Sequence, residues 1–244
     1  MWLVLCDPTD RAALWAYAGL RDRGLVPLEL ISPHALVCSR RSVHRVDSRG
    51  ARFEIDLPDG RRLSSGEVDG VLNRLSTVPV EHLVFDSEAE TRYAVEELHA
   101  LVLSWMACVG AVAVNRPSPR GLAGAWRSPA EWAMLARQAG LPTRPLRLSS
   151  LGARRPPESL VNTRSLIVLG RHTFGDPVPE SIGGACVTLA ALAETDVLGV
   201  ELCAHGDGGL AFAGATPLPD LRRGGDAFIA ALHRHLIGLR ASRG

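Results

Sequence analysis

The sequence predicts an α/β fold, and two observations carry that prediction. An apolar stretch, Met1–Cys6, is followed by a polar turn and then by an amphipathic stretch, Arg11–Arg23, that Gly24 closes. Another buried strand is predicted further along the chain, at 111–115, directly after a long helical pattern. Alternating strand and helix patterns of this kind are typical of open α/β sheets.

The first half of the chain supplies the other elements of this sheet. Val26–Ile31 is a second predicted strand, and 52–57 alternates with period two before a Pro58-Asp59-Gly60 turn, which predicts a hairpin with 61–63. A strand at 68–74 ends in polar residues. Ser87 and Glu90 have capping-box spacing, so a long helix follows Asp86 and continues to Gly110.

A sharp helix start at Ser128 opens the second half. Ser128-Pro129-Ala130-Glu131 combines an N-cap, a proline at the first helical position and a Glu at the third, and Gly140 with Pro142 ends the helix. The stretch 143–163 lacks periodicity and is predicted to be a linker or long loop. Beyond it we expect strands at 165–170, 197–203 and 210–213, and helices at 184–195 and 224–239.

Composition excludes several classes of function. The formal net charge of the 244 residues is +1, which gives no large electrostatic attraction to nucleic acid. No apolar run reaches the ~20 residues of a membrane span, and no basic leader precedes Met1–Cys6, so we expect a cytoplasmic protein without a signal peptide. All 27 basic residues are arginine. The absence of lysine excludes a P-loop lysine, a Schiff base and a lysine nucleotide clamp.

Three segments stand out in the order of elements: Asp69-Gly70-Val71-Leu72-Asn73-Arg74, Val114-Asn115-Arg116-Pro117 and Gly140-Leu141-Pro142-Thr143-Arg144-Pro145. With this order of elements, they resemble the ATP-grasp carboxylate–amine ligases, in particular their RimK-like branch, which includes peptide-modifying ligases. Arg127 stands where that family prefers a lysine. The resemblance implies a pre-ATP-grasp-like open sheet with helices in residues 1–142, and it marks Arg127 as a residual nucleotide-binding position.

The C-terminal region resembles the metal-binding hairpin and last helix of the same family. The matching residues are Leu198–Leu202, the turn Asp207-Gly208-Gly209 and Phe212–Pro219. The resemblance implies a shortened ATP-grasp-like α+β region over 164–244. No counterpart of the family's lid is evident between Arg147 and Arg164.

The sequence departs from the family where the resemblance places Mg²⁺ and ATP. The family supplies an acidic residue on one strand and a Glu-x-Asn on the next, whereas this chain has Glu201 followed by Gly214 and Thr216. A single carboxylate is a poor Mg²⁺ site. We therefore expect no metal site, with Glu201 only as a residual acidic position, and no cofactor. ATP and Mg²⁺ enter only if the chain is a ligase after all.

Polar residues at two strand ends are the candidate substrate-binding residues: Asn73, Arg74, Asn115 and Arg116. Ligands collect at strand ends of open α/β sheets, and the guanidinium fork binds carboxylates. The alternative is that such a residue pairs with a neighbouring Asp or Glu.

Two other candidates are weaker. His233 and His235 are two residues apart and point to different helix faces, so a metal cluster with His205 and Asp207 is disfavoured. Cys6 would need a lowered pKa and a base to act as a nucleophile, and we expect a core or sheet-edge thiol.

The leading hypothesis is a non-catalytic accessory or binding protein that partners a biosynthetic or peptide-modifying enzyme. Its ligand would be a peptide, a small carboxylate or another enzyme subunit. The sequence does not decide whether the protein forms a homo-oligomer, and no catalytic residue is assigned. The alternative is an ATP-dependent carboxylate–amine ligase with an atypical nucleotide site, and a third hypothesis is an obligate partner within a heteromeric ligase.

Overall fold

The computed structural model describes residues 1–48, 50–80, 85–145, 163–205 and 209–241. The chain divides into two compact units, residues 1–125 with 229–244, and residues 126–228. The helix that starts after Ser128 therefore belongs to the second unit, and most of the last helix belongs to the first. The predicted domain boundaries at 142 and 164 stay a prediction, and most of the predicted linker, 146–162, lies outside the described residues.

The first unit contains a parallel sheet and a smaller antiparallel sheet. The strands are β1 Trp2–Leu5, β2 Leu28–Ile31, β3 Arg41–Asp47, β4 Gly50–Asp56, β5 Arg62–Ser64, β6 Gly70–Asn73 and β7 Ala113–Val114. The parallel sheet has the order β2-β1-β6-β7, and the antiparallel sheet has the order β3-β4-β5. The α/β prediction is confirmed. Strand β3 was not predicted, because its polar sequence becomes a strand only by pairing with β4.

Three helices accompany these strands: α1 Arg11–Asp22, α2 Pro33–Val37 and α3 Glu88–Cys108. The predicted start of α3 is confirmed, since the Ser87 hydroxyl accepts a hydrogen bond from the Glu90 amide. Only the C-terminal turns of α3 reach the core, where Val102, Trp105 and Met106 are buried, while the preceding residues are half-buried or exposed.

Close contact with an aromatic ring explains one glycine of the parallel sheet. A Cβ atom at Gly70 would lie 2.6 Å from the Trp2 ring on the neighbouring strand β1. Any side chain at this position therefore displaces Trp2, which is buried. Strands β1 and β6 can pair in the observed register because residue 70 has no side chain.

The second unit is an antiparallel sheet packed against two helices. Its elements are α4 Pro129–Gln138, β8 Arg164–Leu169, β9 His172–Gly175, α5 Glu180–Leu192, β10 Val197–His205 and β11 Gly209–Thr216. The sheet order is β11-β10-β8-β9, and α4 and α5 share an apolar cluster with it. The last helix, α6 Gly225–Ala241, lies mostly in the first unit.

The capping box predicted for α4 is confirmed in both directions. The Ser128 hydroxyl accepts from the Glu131 amide, and the Glu131 carboxylate accepts from the Ser128 amide. The predicted start of α5 at Gly184 was wrong by four residues. Gly183 and Gly184 disfavour a helix locally, but burial of Gly183 in the packed unit overrides that preference.

No helix in the described part of the chain is long and apolar enough to cross a membrane.

Candidate functional site

The carboxyl ends of the parallel strands bring the predicted substrate residues to one sheet edge. Leu5 of β1 lies beside Asn73 of β6, and Leu72 lies beside Val114 of β7. The segments that follow these strands therefore meet: Cys6 after β1, Arg74 after β6 and Asn115 after β7. This edge is the place where open α/β sheets bind ligands.

Asn73 is buried, and its amide is committed to backbone groups. Its Nδ2 donates to the carbonyl oxygens of Asn115 at 2.9 Å and Leu122 at 2.7 Å, and its Oδ1 accepts from the Leu75 amide at 3.3 Å. Both amide protons therefore have partners. Asn73 positions the chain after β7, and this role competes with direct binding of a ligand.

Arg74 is buried beside the start of α1. Its Nε donates to the Asp10 Oδ2 at 2.6 Å, and the other oxygen of Asp10 accepts from the Ala12 and Ala13 amides at 3.0 Å. The Arg74 side chain is 7% exposed and that of Asp10 is 20% exposed. The Asp10 carboxylate thus caps helix α1 and neutralises Arg74. For Arg74 this is the alternative to ligand binding, namely pairing with an Asp or Glu.

The second predicted pair, Asn115 and Arg116, differs in solvent exposure. Asn115 is buried, and its carbonyl is one of the two acceptors that Asn73 uses. Arg116, the next residue, is exposed. These two side chains therefore do not share one environment, although their proposed role in binding remains a prediction.

Cys6 lies at the same edge but is not activated. Burial, and after it the charge of Asp10, raises the pKa of the Cys6 thiol to about 11. The thiol is protonated at neutral pH, so the environment opposes a nucleophilic role.

In the second unit, Arg127 links two helices. Its Nη2 donates to the carbonyl oxygen of Ala193, the C-cap of α5, at 2.9 Å, and its guanidinium carbon lies 5.2 Å from the centre of the Trp132 ring. An arginine is favourable at a helix C-terminus, where the carbonyls lack partners. Arg127 therefore has a structural role apart from the nucleotide position that the resemblance implies.

Glu201 is the carboxylate of the β10–β11 hairpin. It lies opposite Ser165 on β8 and opposite Gly214 on β11, and its Oε2 accepts from the Ser165 hydroxyl at 2.6 Å. Thr216 lies opposite Gly199. Strand β11 contains no Asp, Glu or Asn. Within the described residues, no group of three His, Cys, Asp or Glu side chains is placed to hold a metal ion.

The histidines of α6 do not change this assignment. His233 and His235 lie two residues apart on one helix. The other members of the disfavoured cluster, Asp207 and the side chain of His205, lie outside the described residues.

No protein-family model and no curated protein matches the sequence. Solved structures do match it over nearly the whole chain. The ATP-grasp ligase PsnB, complexed with precursor peptide PsnA2 and AMPPNP, has a TM-score of 0.71 at 18% identity, with 98% of each chain covered. The chain has an ATP-grasp-like fold. The resemblance found in the sequence is thereby confirmed at the level of the fold.

Two further structures support this ATP-grasp-like assignment. The macrocyclase MdnB from Microcystis aeruginosa MRC has a TM-score of 0.68 at 12% identity and covers 97% of this chain and 99% of its own. A Chryseobacterium gregarium RiPP-associated ATP-grasp ligase, in complex with ADP and a leader and core peptide, has a TM-score of 0.66 at 9% identity, with coverage of 100% and 97%. Because these alignments span nearly all of each neighbour, they do not support the expected loss of a lid, which stays a prediction.

The sequence analysis did not identify the hydrogen-bond partners of two candidate residues, Asp10 for Arg74 and Ser165 for Glu201. Asp10 is 64 residues from Arg74, and Ser165 is 36 residues from Glu201. Asp10 does carry a local signal, since an Asp immediately before a helical pattern is a favoured N-cap. Ser165 carries no comparable signal, because a serine at a strand start has many ordinary roles.

Proposed function

We propose that this chain is a peptide-binding protein with an ATP-grasp-like fold, which acts in the modification of a precursor peptide without forming an acyl phosphate itself. The observation that carries the second part is the hairpin. Glu201 faces Gly214 and Ser165, so the hairpin offers one carboxylate that is already hydrogen-bonded. The first part draws on the PsnB and Chryseobacterium gregarium structures, which contain peptides.

The metal argument rests on charge. Acyl-phosphate formation from ATP places several negative oxygens together, and Mg²⁺ held by hard oxygen ligands neutralises them. At the positions where the resemblance expects a Glu and an Asn, the chain has Gly214 and Thr216, and the Thr216 Oγ1 accepts from the Leu218 amide at 3.1 Å. One carboxylate leaves most of that charge without compensation.

At this site the chain also has few positively charged side chains that could bind the phosphates of ATP. The chain contains no lysine, and Arg127 donates to the Ala193 carbonyl while its guanidinium lies over Trp132. For this arginine to bind a phosphate, it would have to give up contacts that join α4 to α5. These losses support a binding role over a catalytic one.

A second candidate is an ATP-dependent carboxylate–amine ligase with an atypical nucleotide site. The fold comparisons favour this candidate at least as well, because PsnB was solved with AMPPNP and, in another complex, with Mg and ADP. In this chain, arginines and backbone amides would bind ATP, and Glu201 would be one Mg²⁺ ligand. The substrate would be a peptide or small carboxylate under either candidate, and a cytoplasmic location remains a prediction.

Calorimetric titration with ATP, with and without Mg²⁺, separates the two candidates. The binding role predicts no saturable heat at micromolar ATP and no stabilisation against thermal unfolding. The ligase predicts Mg²⁺-dependent binding tighter than about 100 μM, worth roughly 5.5 kcal/mol. It also predicts phosphate release that Glu201→Gln abolishes and that Glu180→Gln, the same change at an exposed position, leaves intact.

A further inference from the structure

Strand β3 is an edge strand with one unused side. Its seven residues pair with β4, and in the described part of the chain no strand pairs with its other side. Val46 of β3 is 72% exposed. An edge strand presents alternate backbone N–H and C=O groups that another extended chain can pair with.

The two faces of β3 differ in what they contact. His44 lies opposite the buried Phe53, and its Nε2 is 3.6 Å from the Cys108 Sγ of α3, so this face packs toward the core. Since side chains alternate along a strand, Val43 and Arg45 belong to the opposite face. Val43, Arg45, Asp47, Arg52 and Glu54 of this face line a groove, and the buried Phe53 also contributes to its lining.

Two arginines in this groove lie directly opposite each other. Arg45 of β3 pairs in register with Arg52 of β4, both are exposed, and neither has an ion pair with a described carboxylate. By contrast, Arg62 on the same face donates to Glu54 at 2.6 Å. Directly opposed like charges are unfavourable in a sheet unless an anion lies between them.

We propose that β3 accepts an acidic peptide in extended conformation as an additional strand, and that Arg45 and Arg52 bind its carboxylates. Backbone hydrogen bonds to β3 would supply the affinity that does not depend on sequence. The planar guanidinium fork would supply the preference for Asp or Glu side chains. This inference rests on the proposed peptide-binding function and gives it a location and a charge preference.

Charge argues against a second copy of the chain as the occupant. Strand β3 carries two arginines, Arg41 and Arg45, and one carboxylate, Asp47, so a second β3 would bring net positive charge to an arginine pair that has no ion pair with a described carboxylate. Such like-charge contacts oppose association. An acidic strand relieves the repulsion that a second copy would increase.

Titration of the ¹⁵N-labelled full-length protein, followed by amide chemical shifts in low salt, tests the inference. The probe is an acetylated and amidated nine-residue peptide that alternates Glu with Thr, and its control has Gln in place of Glu. We expect shifts centred on 41–54 with the Glu peptide and at least tenfold weaker binding with the Gln peptide. The double variant R45Q/R52Q should lose at least tenfold in affinity, and Arg62→Gln, the same change at an ion-paired arginine, less than threefold.

Each other outcome overturns the proposal in an identifiable way. Shifts confined to residues outside 41–54 would leave peptide binding intact but reject the β3 edge. Equal losses in R45Q/R52Q and Arg62→Gln would reject the specific arginine pair. No shifts at millimolar peptide would reject the edge site, while the proposed function would still be tested by the ATP titration. Far-ultraviolet circular dichroism of each variant excludes unfolding as the cause.

Discussion

The Arg74 guanidinium and the Asp10 carboxylate meet 2.6 Å apart, and the same carboxylate caps helix α1. The pair joins the end of β6 to the start of α1. Because Arg74 is buried, its charge depends on Asp10 for compensation.

Removing either partner should therefore destabilise the first unit. Asp10→Asn keeps an oxygen for the helix cap but leaves the guanidinium without a counter-charge. Since Asp10 is partly exposed, we expect a loss of about 2 to 3 kcal/mol in the free energy of unfolding by urea, below the upper range for fully buried pairs. Arg74→Met, which removes the charge and keeps the length, should cost less than Asp10→Asn. A loss below about 0.5 kcal/mol for Asp10→Asn would contradict this account.

Asn73 predicts a different pattern. Asn73→Ala removes the amide that donates to the Asn115 and Leu122 carbonyls, and we expect a cost of about 2 to 4 kcal/mol. Asn73→Asp places negative oxygens against both carbonyls and should be worse than Ala at pH 7. Denaturant midpoints of the two variants give the order. If Asp were tolerated better than Ala, Asn73 would not be acting as a donor to these carbonyls.

The buried thiols predict a pH dependence at the alkaline end. Burial raises the pKa of both the Cys6 and the Cys186 thiol to about 11 from the ordinary value of 9.0. Between pH 9 and 11 the unfolded chain releases these protons and the folded chain retains them. Stability must therefore fall as pH rises through this range. The double variant C6A/C186A should show a shallower fall than the parent, measured by urea unfolding at pH 8, 9.5 and 10.5, and an unchanged slope would exclude these thiols as the cause.

The opposed arginines predict that reversing one charge stabilises the fold. Arg52→Glu converts a cross-strand repulsion with Arg45 into an attraction, which should add about 0.3 to 1 kcal/mol. Arg52→Gln removes only the repulsion and should fall between Arg52→Glu and the parent. In the double variant R45E/R52E the repulsion returns, so its stability should drop below that of Arg52→Glu. Thermal unfolding at low salt measures the parent, these three variants and the single variant Arg45→Glu, and additive effects of Arg45→Glu and Arg52→Glu would show that the side chains do not interact.

The sequence predicted the elements that local signals specify. Ser128 with Glu131 marks a helix start through contacts within four residues, and both hydrogen bonds are present. Strand β3 has no such signal, because its sequence becomes a strand only when β4 pairs with it. Helix α5 begins before two glycines that oppose it locally, since packing outweighs their intrinsic preference.

The position of Asn73 and Arg74 at the ends of the strands could be predicted from the sequence, but their hydrogen-bond partners could not. A polar pair after an apolar strand placed Asn73 and Arg74 at a sheet edge, and the register with β1 confirms that placement. The groups to which the two side chains donate lie 42 to 64 residues away, and only the Leu75 amide, which donates to Asn73, is local. Such distances are set by the tertiary fold, so no local pattern reveals whether an arginine is free or already neutralised.

Helix α3 is packed only near its C-terminal end, and that asymmetry divides its stability. A helix of 21 residues gains most of its stability from tertiary contacts, and here the fully buried side chains begin at Val102. The amide protons before that point lie on turns whose side chains are half-buried or exposed, so they should exchange with solvent through local fraying. Those of the last two turns should exchange only when the first unit opens as a whole. The C-terminal turns of α3 should therefore exchange their amide protons slowly. Its N-terminal turns should unfold and refold locally while the core of the first unit stays folded.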